Sequence, residues 1–171
     1  MTPTLSQRIE RLFWALTPTL MTLLLLLVVA VPLGLPHFSS IAPLVSVMSV
    51  YYWSIFRPEV MPAPAAFLIG LAEDVLSGGP IGLMSLVLLL VQGFCVSQRR
   101  VLLSRPFLVG WWGFSFVAAG ASLATWVMAC LYYLAWFDPR TAAAQFLLTV
   151  TLYPLATWLF SRTEARLLRQ A

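Results

Sequence analysis

The feature that most limits how this chain can fold is a succession of apolar runs. Each approaches the thickness of a lipid bilayer, and short segments carrying arginine, proline and glycine separate them. A helix crossing the ~30 Å hydrocarbon layer needs about 20 mostly apolar residues. The runs cover residues 13–35, 39–56, 64–76, 81–98, 107–137 and 142–160 of a 171-residue chain. Only 9% of residues are charged and 61% are hydrophobic, whereas a soluble domain carries about 25% charge. That balance excludes a soluble enzyme, a disordered tail and a small disulfide scaffold. The predicted fold class is an all-α integral membrane protein, with residues 1–171 forming a single six-helix domain embedded in membrane lipid. The first run is longer than the roughly 7–15 residues of a signal-peptide core, so it reads as a retained helix, ended by Pro32, Gly34 and Pro36. The second closes with Tyr51, Tyr52 and Trp53 before Arg57, as aromatic residues do at a membrane interface.

The third run is short, and charge decides whether it crosses. All ten basic residues are arginine. With six spans and both termini cytoplasmic, Arg8, Arg11, Arg57, Arg99, Arg100, Arg105, Arg162, Arg166 and Arg169 lie inside and Arg140 alone lies outside, nine against one. If the third run turned back, the same count becomes four inside and six outside. The excess of positive charge on the cytoplasmic side therefore predicts six spans. Being scattered between apolar runs, these arginines form no basic stripe, so no nucleic-acid partner is expected.

Catalytic chemistry finds little to work with. His37 is the one histidine and stands in the first outer loop, so no metal site and no HExxH motif can be built around it. No GxSxG elbow and no phosphate-binding glycine loop occur. Cys95 and Cys130 fall at different expected depths, which argues against a disulfide. No catalytic residue, metal or cofactor is expected.

One polar stretch interrupts the apolar pattern: Gly70-Leu71-Ala72-Glu73-Asp74-Val75-Leu76-Ser77-Gly78-Gly79-Pro80-Ile81-Gly82. A carboxylate at a helix centre costs roughly 2.5–3.5 kcal/mol on insertion scales, and near a helix C-terminus the dipole opposes it. The acids need donors, which Ser77, turn amides or an arginine of another chain would supply. Two readings stay open: a polar socket or hinge, and an Asp74 that caps a tight turn with Glu73 near headgroup level. In the second reading Asn at position 74 is expected to be mild. One of Gly78 and Gly79 is expected at positive φ, and Pro80 at the first position of the next helix. In the fifth run Gly120, Ala121, Ala124, Thr125 and Ala129 form a small-residue stripe. Such stripes let helices approach closely in lipid, read first as packing within the chain and alternatively between chains.

The pattern Gly70-Leu71-x-x-Asp74-x-x-x-Gly78-x-Pro80-x-Gly82 resembles the signature of the bacterial rod shape-determining MreD family, in its alphaproteobacterial form. Tyr51-Tyr52-Trp53 with Arg57-Pro58 and Pro62, Arg99-Arg100 with Arg105-Pro106, and Tyr153-Pro154 before an arginine-rich tail agree in order. The resemblance implies a non-enzymatic inner-membrane subunit of the elongasome, similar in fold to the substrate-binding subunits of energy-coupling-factor transporters. It implies MreC as direct partner, and through MreC the MreB filaments and the RodA–transpeptidase synthase. It implies no role for Glu73. The alternative is a small-ligand-binding subunit of a membrane transporter, since such folds bind near broken helices and turn amides.

Overall fold

The computed structural model describes residues 5–30, 43–103 and 107–170, and six α-helices occupy them: α1 (Leu5–Ala30), α2 (Val45–Phe56), α3 (Ala63–Ser77), α4 (Leu83–Leu103), α5 (Phe107–Tyr133) and α6 (Pro139–Gln170). No strand occurs among the described residues. Pro32, Gly34, Pro36 and His37, and Arg105 with Pro106, lie outside them.

Several boundaries differ from the hydropathy reading, which follows apolarity rather than backbone hydrogen bonding. α1 begins at Leu5 rather than at residue 13, and α2 begins at Val45 rather than at residue 39. α4 runs on through Arg99 and Arg100 to Leu103. α5 stops at Tyr133, short of residue 137, where Leu134 takes a positive φ of 49°. α6 starts at Pro139 and absorbs the tail as far as Gln170. Its start is a cap: the Asp138 carboxylate accepts the Arg140 N–H at 2.9 Å, and Pro139, whose missing N–H is no loss there, takes the first position.

The short α2 forms the centre of the bundle and contacts all five other helices. Its ten residues Ser46–Ile55 are all buried. Tyr51 meets Phe114 of α5 and Tyr153 of α6 edge-on, at ring distances of 5.2 and 5.8 Å, while Phe114 and Tyr153 stack at 3.9 Å. These rings exclude water, which favours a protein partner for each polar atom among them; several find one, whereas Trp53 Nε1, Ser46 Oγ and Ser54 Oγ are buried without one among the described residues. The Tyr51 hydroxyl donates to the Gly110 carbonyl at 2.9 Å. The Leu44 N–H donates to Thr149 Oγ1 at 3.1 Å, and the hydroxyls of Thr22 and Ser49 bond α1 to α2. Large apolar side chains such as Leu24, Leu90, Leu108 and Phe116 point outward. Two of the described helical segments, Leu108–Tyr133 and Pro139–Thr163, are long and apolar enough to cross a membrane by length and composition.

The ends of the bundle differ in charge. Arg99 Nε–H donates to the Ile55 carbonyl at 2.7 Å, closing the end of α2. The Arg162 guanidinium lies 4.2 Å over the Trp158 ring. This end also holds Arg57 and Arg100 and is called the basic end below. The α3–α4 and α5–α6 connections lie at the opposite end.

Pro154 stands inside α6. A proline within a helix leaves the carbonyl four residues earlier without its donor. Here that is the carbonyl of Val150, and it accepts the Trp111 indole N–H at 3.3 Å. The apolar helix therefore passes its proline without an orphaned acceptor. Trp111→Phe is expected to lower stability in detergent by about 1 kcal/mol, the usual net worth of one hydrogen bond. Pro154→Ala restores the backbone donor, so in a double-mutant cycle the cost of Trp111→Phe should largely disappear.

Candidate functional site

The polar stretch between α3 and α4 folds into a closed set of interactions. Proline starts α3: Pro62 takes an extended conformation at the cap, and its carbonyl accepts the Ala65 and Ala66 amides at 2.9 and 3.2 Å. α3 then runs to Ser77 and ends on Gly78, whose φ of 65° is left-handed. Gly79 is not among the residues at positive φ, but Gly82 is, at 99°. The structure thus assigns the turn's special backbone angles to Gly78 and Gly82.

Asp74 is 4% exposed and lies on the face of α3 turned towards α4. Its Oδ2 accepts the Gly82 N–H at 2.8 Å and its Oδ1 accepts the Met84 N–H at 3.0 Å. Both amides belong to the start of α4, where the first turn of a helix has no internal acceptors. Asp74 therefore serves α4 as a cap from outside that helix. The unfavourable end of the α3 dipole is offset by direct contact with the favourable end of α4. Ser77 does not serve the carboxylate; its hydroxyl donates to the Asp74 carbonyl at 3.3 Å.

Pro80 is not the first residue of α4. It stands in the turn, three residues before the helix starts at Leu83, and its carbonyl accepts the Leu83 N–H at 3.3 Å. The reason is Gly82, whose positive φ delays the helix by placing one more turn after the proline.

Gly70 has a separate task. A Cβ added there would stand 2.5 Å from Ser85 N and 2.8 Å from the Met84 carbonyl carbon. The α3 backbone thus rests directly on the first turn of α4, and the Ser85 hydroxyl donates back across it to the Phe67 carbonyl at 3.2 Å. All six residues Gly70, Asp74, Gly78, Gly79, Pro80 and Gly82 lie in this one hairpin. Glu73 points elsewhere. It is half-buried and lies beside Ser46 of α2, and its Oε2 and Ser46 Oγ, both enclosed, face each other without completing a well-formed hydrogen bond.

The small residues of α5 do not act together. Ala121 is buried in the core, whereas Gly120 is exposed and a Cβ there would meet nothing within 4 Å. Gly120 and Ala124 line an apolar groove of about 190 Å³ between residues 87–94 of α4 and 116–124 of α5. The Thr125 hydroxyl turns back onto the Ala121 and Ser122 carbonyls at 3.0 Å each, and Ala129 is half-buried. Sequence reasoning missed the role of Gly70, the angle at Gly82 and the hydroxyls of Thr22, Ser49 and Thr149 that tie α1, α2 and α6 together. The small polar residues spread along α2, Ser46, Ser49 and Ser54, were the available signal for a helix packed closely on several neighbours; of their hydroxyls, Ser49 alone bonds another helix among the described residues.

No group of three or more histidine, cysteine, aspartate or glutamate side chains able to hold a metal occurs among the described residues. Cys95 and Cys130 are free thiols.

This geometry revises the expectation for Asp74→Asn. An asparagine has one acceptor oxygen, so one of the two amides loses its partner and meets an N–H₂ group instead. The loss should be about 1–3 kcal/mol, read as a lower melting temperature in detergent, with Asp74→Leu worse. Gly78→Val and Gly82→Val should each lower stability through strain of order 1–3 kcal/mol, whereas Gly79→Ala should be tolerated. Gly70→Ala should destabilise by a comparable amount through overpacking, and Gly120→Ala should leave stability unchanged.

No curated protein and no solved structure matches the chain significantly. A family model, rod shape-determining protein MreD, matches residues 7–163. That span takes in all of α2 to α5, most of α1 and α6, and the whole Asp74 hairpin. An apolar bundle of helices with an internally satisfied polar hairpin fits the membrane character of that family, and the chain belongs to the MreD family of rod shape-determining membrane proteins.

Proposed function

We propose that the chain is a non-enzymatic, six-span subunit of the bacterial inner membrane, both termini cytoplasmic, that binds MreC within the elongasome. Through MreC it connects to MreB and to the RodA–transpeptidase synthase and helps organise lateral peptidoglycan synthesis. The observation that carries this reading is the family match over residues 7–163. The fold is consistent with it. Apart from the connections and the end of α6, the described chain is helix packed against helix, so its action must run through helix faces, short turns and the tail. The motif residues are consumed in holding α3 against α4, which suits a scaffold better than a reactive centre. Arg57, Arg99, Arg100 and Arg162 at one end, against Arg140 at the other, support the orientation with the basic end inside.

One observation favours the alternative, a small-ligand-binding transporter subunit with the fold of the energy-coupling-factor substrate-binding proteins. Glu73 Oε2 and Ser46 Oγ face each other, enclosed, without completing a well-formed hydrogen bond, and such atoms call for an explanation that a bound ligand would supply. Two such atoms are fewer than the converging polar groups that a ligand pocket ordinarily presents.

Purification in mild detergent from a rod-shaped bacterial host, followed by mass spectrometry of bound proteins and small molecules, separates the two. MreC is expected to co-purify. A stoichiometric small molecule without MreC would favour the transporter reading. Reporter fusions at Asp138 and Gln170 should read periplasmic and cytoplasmic respectively; a cytoplasmic signal at Asp138 would contradict the six-span arrangement.

A further inference from the structure

The helices of this bundle differ in reach. α2 and α3 have 12 and 15 residues, about 18 and 22 Å at ~1.5 Å per residue. Both are shorter than the ~30 Å hydrocarbon layer. The basic end gives a common level. Arg99 bonds the last turn of α2, and Phe160 packs on Tyr52 and Trp53 at ring distances of 5.4 and 6.1 Å. From that level α6 rises about 31 Å between Phe160 and Pro139, while α4 rises about 24 Å between Arg99 and Leu83. A second route agrees. The groove shared by α4 and α5 ends at Val87 on one helix and at Ala124 on the other. From there α4 climbs about 8 Å to Gly82 and α5 about 14 Å to Tyr133. Both routes leave the α3–α4 turn about 6–8 Å short of the α5–α6 tip.

The two connections are also built for different surroundings. Every residue from Leu131 to Thr141 is exposed, with Leu134 at 92% and Trp136 at 84%. The tip is nevertheless fixed. Trp126 and Trp136 meet edge-to-face at 5.7 Å, and the Trp126 indole N–H donates to the Phe137 carbonyl at 3.2 Å. A fixed cluster of tyrosine, tryptophan and phenylalanine beside Asp138 and Arg140 has the amphipathic chemistry of the headgroup boundary. At the other connection no charged side chain occurs between Val75 and Gln98. Ile81 stands 75% exposed. The amides of Gly82, Leu83 and Met84 are all taken up by Asp74 and Pro80. These three amides are therefore served without water, as a helix start facing hydrocarbon requires.

We infer that the α5–α6 tip rests at the lipid headgroup boundary while the α3–α4 turn lies below it, inside the hydrocarbon, with Ile81 and its neighbours in contact with lipid chains. The lipid of that leaflet is the partner of both surfaces. Asp74 substitutes for the water that the submerged turn cannot reach. This inference rests on α5 and α6 crossing the membrane and not on MreC binding.

Site-directed spin labelling tests it. Full-length protein with Cys130→Ser, its buried Cys95 retained, carries a nitroxide at Ile81→Cys or at Leu134→Cys in phosphatidylethanolamine–phosphatidylglycerol vesicles. Power saturation with oxygen and with a water-soluble nickel chelate gives the depth of each label. The Leu134 label is expected at the headgroup boundary and the Ile81 label about 6–8 Å deeper, with higher oxygen and lower nickel accessibility. Equal depths, or an Ile81 label open to nickel, would overturn the submerged turn. A Leu134 label that reads as fully aqueous, or as closed to both reagents, would overturn the lipid assignment of the tip and indicate a soluble or protein partner instead. Leu76→Cys and Tyr132→Cys, also exposed, repeat the comparison should either first variant fail to accumulate.

Discussion

The carboxylate of Asp74, held between the amides of Gly82 and Met84, is the interaction on which the rest of this bundle depends. A carboxylate costs roughly 2.5–3.5 kcal/mol to insert at a helix centre and less towards its end, where Asp74 stands. Hydrogen bonds to a charged acceptor contribute about 1.5–3 kcal/mol each, so two of them offset that cost. They do so only because the start of α4 is brought to within bonding distance of α3. Three glycines make that approach feasible: Gly70 by removing a side chain where backbones meet, and Gly78 and Gly82 by taking backbone angles that reverse the chain. The charge, the close contact and the turn are one device, and removing any part leaves the others without their purpose.

The same rule operates elsewhere in the bundle, in a medium where an unsatisfied backbone group costs several kcal/mol. The Val150 carbonyl released by Pro154 is answered by Trp111. The amide of Leu44, immediately before α2, is answered by Thr149, and the carbonyl of Ile55 at the other end of α2 by Arg99. Each partner comes from a different helix, so satisfying the ends of one helix fixes the position of another. α2 can be short and central because its neighbours complete it. In a family of shape-determining membrane proteins, such cross-bracing suits a subunit whose work is to hold a fixed arrangement of helices.

The apolar runs and their arginine breaks made the number and order of the helices legible. Asp74 and the glycines also stood out as candidates, because a charged residue and flexible residues are conspicuous in an apolar background. That turn amides would serve the acid was one of the open readings, but which amides it binds was not legible. Asp74 lies at the end of one helix and caps the next, and a cap supplied by a non-adjacent residue leaves no local pattern. Pro80 misled for a related reason: proline suits a helix start, yet the positive φ at Gly82 moved that start to Leu83. The stripe on α5 shows the opposite failure. Gly120, Ala121 and Ala124 look equivalent by spacing and all line the α4–α5 groove, but Ala121 is buried whereas Gly120 is exposed.

Amide hydrogen exchange at Gly82 and Met84, followed residue by residue in lipid nanodiscs, addresses the Asp74 cap most directly. The wild-type protein should protect both amides as strongly as the interior of α4, and Asp74→Leu should speed exchange at both by at least about tenfold, the equivalent of one lost charge-assisted bond. Exchange at these two amides as rapid as in an open turn in the wild type, or unchanged protection in Asp74→Leu, would contradict the account.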